Sequence, residues 1–366
     1  MNYARMVIEK EAPEEYGYER IRYNLSESSI ADQKLSDIGL SVPDLTLFYG
    51  EHRGDRELRA LVAAQDAGIS PDDVLVTAGA AGALFIISTS LLSAGDHLVV
   101  IRPNYATNIE TPRAIGCSIS FVDLSFETGF AIDVGAIRAA IRPNTRLISV
   151  TCPHNPTGTM MSGSDLDALV ALAESSGCRL LVDETYRDLS YGRRLPCAAS
   201  LSPNAISVSS LSKAFGIPGI RIGWLVTRDA ALQETFLAAK EQIGICGSVI
   251  DEGIARGMLQ RRDAFLATLL PEMAKRRDIV QAWIDKEPLV DWIRPEGGVV
   301  GFPRLNVEPG FDLDRFYAEL LENHGTYVGP GHWFEMEKRF FRVGFGWPTE
   351  AELRGGLDAI SAALRR

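Results

Sequence analysis

The sequence predicts an α/β fold: a mostly parallel sheet with helices on both faces, followed by a smaller α+β unit. Three observations carry this. Between about residues 55 and 226, short β-branched apolar runs alternate with amphipathic stretches, the pattern of successive βα units. After Trp224 the alternation lapses into long helical segments, roughly 229–285. The remainder, 286–366, mixes short strand candidates with one last helix.

The strands read as "DVLVTAG", "DHLVVIRP", "SISFVDL", "TRLISVTCP", "CRLLVDE" and "AISVSS", each a buried apolar run bounded by turn residues. Between them "AAGALFIISTSLL", "DVGAIRAAIR" and "SDLDALVALAESSG" have helical spacing. The last has Ser162 or Ser164 as N-cap and Gly177 as stop. In the C-terminal unit "GGVVGFPRL", "TYVGPG" and "FFRVGFG" are strand candidates. A final helix begins near Pro348, with Thr349 and Glu350 in its first turn. Ligands of such sheets sit at the carboxyl ends of the strands, where the βα loops gather. Chemically interesting residues are therefore expected just after strands.

The chain of 366 residues is 46% apolar, 23% charged and carries a net charge of −11. A dispersed acidic balance argues against a nucleic-acid or anionic-membrane surface, since both require a basic face. No apolar run is long enough to span a bilayer, and the N-terminal stretch lacks the apolar core of a secretory signal. Five scattered cysteines (117, 152, 178, 197 and 246) without CxxC spacing read as reduced thiols, so a cytoplasmic location is expected. The histidines form no ligand motif, and no metal is expected.

Five features fall at strand ends. Gly79, Ala80 and Ala81 open a helix after Val74–Thr77; they form either an anion cup of helix N-terminal N–H groups or simply a tight turn. Asn104 and Tyr105 follow the second strand, the aromatic being either a stacking platform for a planar ligand or a surface residue. "HNPTG", His154 to Gly158, forms a rigid loop with the amide of Asn155 at its head. Asn155 donates to a phenolic oxygen without adding charge. Asp183 ends an apolar strand with Tyr186 one turn on; it meets a cation such as a pyridinium nitrogen or caps a helix. Ser210, Lys213 and Arg221 follow "AISVSS". They form either a buried lysine that acts as a nucleophile toward an aldehyde with an arginine that clamps a phosphate beside helix-terminal amides, or a solvated pair. Together these groups match one ligand, pyridoxal 5′-phosphate, and its absent rivals include dinucleotides, since no GxGxxG is present.

The ordered segments "GAAGAL", "PNY", "HNPTG", "VDETY", "SLSKAFGIPGIRIGW" and "FRVGFG" resemble the class I/II aminotransferases, the fold-type I pyridoxal-phosphate enzymes, over nearly the whole chain from about Asn24. The resemblance implies a seven-stranded, mostly parallel sheet in a large cofactor-binding domain (41–285), a small domain (286–366), and an N-terminal segment (1–40) packing with the latter. It implies Lys213 as the Schiff-base lysine, Asp183 as partner of the ring nitrogen, and Asn155 and Tyr186 as donors to the ring hydroxyl. Tyr105 would stack on the ring, with Gly79, Ala80, Ala81, Ser210 and Arg221 around the phosphate. Tyr49 would reach the phosphate of a second subunit, implying a homodimer with shared sites. Arg342 would grip the substrate α-carboxylate. The implied activity is transfer of an α-amino group to a 2-oxo acid through the Lys213 aldimine.

Two departures bear on substrate. "NLSES", Asn24 to Ser28, stands where a glycine-containing stretch is usual, and Glu27 there either meets a cationic substrate or is solvated. "PEGGVVGFPRL", with Pro303–Arg304, resembles a subset that includes capreomycidine-synthase-like cyclases, which implies the alternative of elimination and cyclisation on a β- or γ-substituted amino acid, guanidino ones included. A regulator built on the same fold needs a DNA-binding domain, for which the short acidic stretch before Asn24 leaves no room.

Overall fold

The computed structural model describes residues 1–42 and 44–365. Seven strands form the central sheet: β1 (Val74–Ala78), β2 (His97–Arg102), β3 (Ser118–Asp123), β4 (Thr145–Thr151), β5 (Arg179–Asp183), β6 (Ala205–Ser210) and β7 (Ile222–Val226). Their spatial order is β1-β7-β6-β5-β4-β2-β3. Only β7 runs antiparallel, against both β1 and β6. The other six therefore point the same way, and their carboxyl ends share one edge. Six strands lie where the alternating pattern puts them. β7 is the addition: "IGWLV" is buried at every position but begins directly at Arg221, with no turn residues between motif and strand.

Both sheet faces are covered, as a largely parallel sheet requires. Successive residues on a strand face opposite sides. Leu98, Val100, Leu147 and Leu181 enter one apolar cluster, while Val99, Ile101, Ile148 and Val182 enter another. The first cluster includes Leu84 and Ile87 of α2 (Gly79–Leu91), which follows α1 (Arg56–Ala63). The second includes Leu166 and Leu169 of α5 (Gly163–Ser176), reached after α3 (Thr107–Ile115) and α4 (Val134–Ala140). Helix α5 starts at a capping box in which Ser162 and Asp165 satisfy each other's backbone N–H groups, and stops at Gly177 in the left-handed conformation.

After β7 come α6 (Ala230–Gly244), α7 (Val249–Leu259) and α8 (Arg262–Ile284). The C-terminal unit holds a three-stranded antiparallel sheet of β8 (Val300–Gly301), β10 (Phe341–Gly344) and β9 (Gly329–Pro330), with β10 central. It is packed by α9 (Leu313–Glu322) and α10 (Glu350–Ala363). Thr349 caps α10 rather than lying inside its first turn. The N-terminal segment adds to this unit: Tyr23–Asn24 pairs in parallel with Thr326–Tyr327. Leu25 continues the pairing, its N–H donating to Tyr327 and its carbonyl accepting from Gly344 N–H at 2.7 Å.

Candidate active site

The shared carboxyl edge of the sheet opens into a cavity of about 360 Å³. Its wall contains Ala80, Ala81, Tyr105, Asn155, Asp183, Tyr186, Ser210, Lys213, Arg221, Arg342 and Glu27, all singled out from the sequence. Gly79 stands behind the wall and Tyr49 lies elsewhere, 78% exposed. Pro303–Arg304 is also outside it; Arg304 pairs with Glu127 at 2.7 Å over the Phe126 ring.

At the anion end, α2 begins without a side-chain cap, so its first-turn N–H groups remain available to a ligand. Gly79 has φ +70°, and a Cβ there would lie 2.5 Å from Arg221 Nη2. Glycine is thus favoured by conformation, and any side chain there would have to displace the Arg221 guanidinium. Arg221 itself is left-handed (φ +52°) and donates from Nη1 to the Pro218 carbonyl at 2.9 Å.

Across the floor, Asp183 is buried at the end of β5. Its Oδ1 accepts from Thr185 N–H (3.1 Å) and Thr185 hydroxyl (2.6 Å), and its Oδ2 from Asn108 Nδ2 (3.4 Å). Burial pushes this carboxyl above the usual carboxylate range, against those hydrogen bonds. Behind it Asn104 Oδ1 collects donors from Thr151, Tyr105 N–H and Asn108. His154 is scaffold: its ring nitrogens meet Thr157 Oγ1 (2.8 Å) and the Pro103 carbonyl (2.9 Å). Burial holds it neutral, down to about 4.

Lys213 reaches into the cavity, its Nζ donating to Ser28 Oγ at 3.0 Å. Burial lowers this ammonium below the lysine range; Arg342 and Arg221 act the same way, while Glu27 and Glu9 oppose them. Tyr186, pushed up to about 12 by burial, donates its hydroxyl to the Ser28 carbonyl at 2.6 Å rather than into the open cavity. Arg342 is 4% exposed. It donates to the Ser26 carbonyl (2.5 Å) and to Asn155 Oδ1 (3.2 Å), while its buried Nε has no partner among the described residues.

The cavity also holds residues that sequence reasoning missed. Glu9 and Glu14 line it from two four-residue helices, Val7–Lys10 and Pro13–Tyr16. Burial raises Glu9, with Glu14 adding repulsion and Lys213 and Arg342 opposing. Glu27 accepts from Tyr18 at 3.2 Å. Ser28 lay in the quoted "NLSES" departure, but only Glu27 was singled out there. Helices of one turn carry no periodicity, so Glu9 and Glu14 left no signal to read.

Among the described residues there is no metal-ligating cluster and no helix long and apolar enough to cross a membrane. A family model described as "Aminotransferase class I and II" matches residues 33–360. The chain is 33% identical to capreomycidine synthase of Streptomyces vinaceus over 86% of its own length and 80% of that protein's. It is 29% identical to an arginine–pyruvate transaminase of Pseudomonas aeruginosa, over 78% and 74%. A PLP-dependent aminotransferase from Streptococcus suis superposes with a TM-score of 0.92 at 28% identity, covering 100% of this chain and 99% of that one. The family match runs through nearly the whole length of the sequence, and the chain belongs to the class I and II aminotransferase family.

Proposed function

We propose that the protein is a pyridoxal-phosphate enzyme that moves the α-amino group of a cationic amino acid to a 2-oxo acid. The residues fit the cofactor: an uncapped α2 start with Arg221 for its phosphate, Asp183 for its ring nitrogen, Tyr105 beside its ring, and Lys213 for covalent attachment. The observation that carries the substrate side is Arg342, a buried guanidinium that lines the same cavity as Lys213 and whose Nε has no hydrogen-bond partner among the described residues. A carboxylate is the natural partner for that fork.

When bound, pyridoxal phosphate supplies an electron sink for the Cα bonds of the amino acid. Arg342, steadied by Ser26 and Asn155, binds the α-carboxylate and fixes which Cα bond faces the ring. Lys213, its pKa lowered by burial, takes the proton from Cα. Asp183 holds a positive charge on the ring nitrogen and is itself fixed by Thr185 and Asn108. Ile8, Ala12 and Trp333 close the wall against water.

Glu9, Glu14 and Glu27 support a cationic side chain. None has a salt-bridge partner among the described residues, and all three line the cavity. The similarity to an arginine–pyruvate transaminase agrees with that chemistry. The similarity to capreomycidine synthase favours a second reading, elimination and cyclisation on a guanidino amino acid with the same residues. Incubating the holoenzyme with arginine, lysine and neutral amino acids, without an acceptor, separates the two. Transamination releases one equivalent of 2-oxo acid per site and leaves the nitrogen on the enzyme; a cyclase releases none. Absence of any borohydride-trapped cofactor on Lys213 refutes both.

A homodimer completes the proposal. Leu47, Phe48 and Tyr49 are 74%, 64% and 78% exposed in a row, and a second cavity of about 340 Å³, with Phe85, Ile86 and Ile243 in its wall, shares Arg221 with the first. A sedimentation mass of one chain refutes it.

A further inference from the structure

The segment from Asn24 to Gln33 crosses the site as a strap with bonds to both of its reactive ends. The Ser26 carbonyl accepts from Arg342, and the Ser28 carbonyl accepts from Tyr186. Ile30 N–H donates to the Lys213 carbonyl at 3.2 Å, and Gln33 N–H to the Gly216 carbonyl at 2.7 Å. Ser28 is thereby pinned from both sides and is 7% exposed. Its hydroxyl is the partner of the Lys213 amine at 3.0 Å, and among the described residues no second hydrogen bond to that amine is present.

We infer that Ser28 is a positioning residue for Lys213, its hydroxyl holding the free amine in place and raising its affinity for a proton whenever the lysine is not covalently engaged. An oxygen that accepts from an ammonium favours the charged form. Ser28 therefore works against burial, which favours the neutral one. The charged groups facing the amine are Glu9 from the N-terminal helix, Glu27 from the strap, Asp183 from β5, Arg221 before β7 and Arg342 from β10. Two cations and three carboxylates surround it, but none donates to or accepts from it directly. The hydroxyl is the local control. The chemical consequence is that a lysine released from the cofactor is retained where it took its proton, ready to return it.

The test uses the apoprotein, so no cofactor or substrate enters and failure of the transamination reading leaves it intact; only the importance of the amine rests on that reading. Reductive methylation with formaldehyde and cyanoborohydride, read at Lys213 by peptide mass across pH, reports the midpoint at which the amine becomes neutral. In Ser28→Ala that midpoint is expected to fall by about one pH unit, so that labelling below it quickens about tenfold. Ser28→Thr, which keeps the oxygen, is expected to stay within about 0.3 unit of the parent. If the alanine variant does not fold, Ser28→Gly, which also removes the oxygen, is expected to show the same downward shift. In the loaded enzyme kcat is expected to drop about tenfold while KM for the amino acid stays within about twofold. An unmoved midpoint in folded Ser28→Ala overturns the inference, as does an equal shift in Ser28→Thr or a loss confined to KM.

Discussion

Arg342→Lys is the substitution whose cost the geometry specifies most fully. The guanidinium spends one Nη on the Ser26 carbonyl and the other on Asn155, leaving Nε unpaired and buried. Three of the five guanidinium N–H groups are then left, and a carboxylate entering the cavity would take two of them as a forked pair of charge-assisted bonds. Each such bond contributes about 1.5–3 kcal/mol. Lysine keeps the charge but supplies a single point donor, which must also serve Ser26 or Asn155. Losing one of the two bonds predicts a fall in kcat/KM of about 30- to 100-fold, equivalent to roughly 2–3 kcal/mol. The discriminating assay compares the best amino acid from the substrate panel with the amine that lacks its carboxylate. The penalty should fall on the amino acid and shrink to within about threefold for the amine. Equal losses for both would show that Arg342 shapes the cavity rather than binding the carboxylate.

Two other expectations concern protonation. Asp183 has its pKa raised by burial, so the cost of its ionised form is absent at acid pH and grows as pH rises past the ordinary carboxylate value near 4. Apoprotein carrying Asp183→Asn should therefore unfold a few degrees higher than the parent at pH 7, match it near pH 4, and yet load cofactor poorly; a pH-independent difference in melting temperature would contradict this. His154 behaves oppositely. With its folded pKa near 4 against about 6.5 in the unfolded chain, its contribution is present above pH 6.5 and lost as pH falls towards 4, about 3 kcal/mol over that window. In denaturant titrations His154→Gln should flatten this part of the acid slope, and an unchanged slope would mean that His154 protonates without unfolding.

The catalytic floor was legible because its residues belong to elements with strong local signals. Asp183, Ser210 and the α2 start each terminate a β-branched run, and "HNPTG" and "SLSK" follow such runs directly. β7 was not legible as a strand: its antiparallel pairing with β1 and β6 is a tertiary fact, and its five residues carry no alternation because both faces are covered. The polar run Asn24–Ser29 reads as an exposed loop, yet Asn24, Ser26, Ser28 and Ser29 are all buried. Local and distant partners together make this burial tolerable: Ser26 donates to Asn24 Oδ1, while Lys213, Tyr186 and Arg342, far along the chain, donate to Ser28 and Ser26. Tyr49 illustrates a different limit, since its expected role needs a second copy of the chain.

The position of the strap and its preceding short helices bears on which residues would select the substrate. Glu9, Glu14, Ser26, Glu27 and Ser28 all precede residue 33, where the match to the family begins, whereas the groups assigned to the cofactor follow it. Under the proposed function, the carboxylates that would meet a cationic side chain sit in this leading stretch, while Arg342, which would hold the α-carboxylate, lies with the cofactor groups inside the family match. Changes at Glu9, Glu14 or Glu27 should therefore alter which side chain is accepted, whereas a change at Ser28, on the same strap, reaches the reacting amine itself.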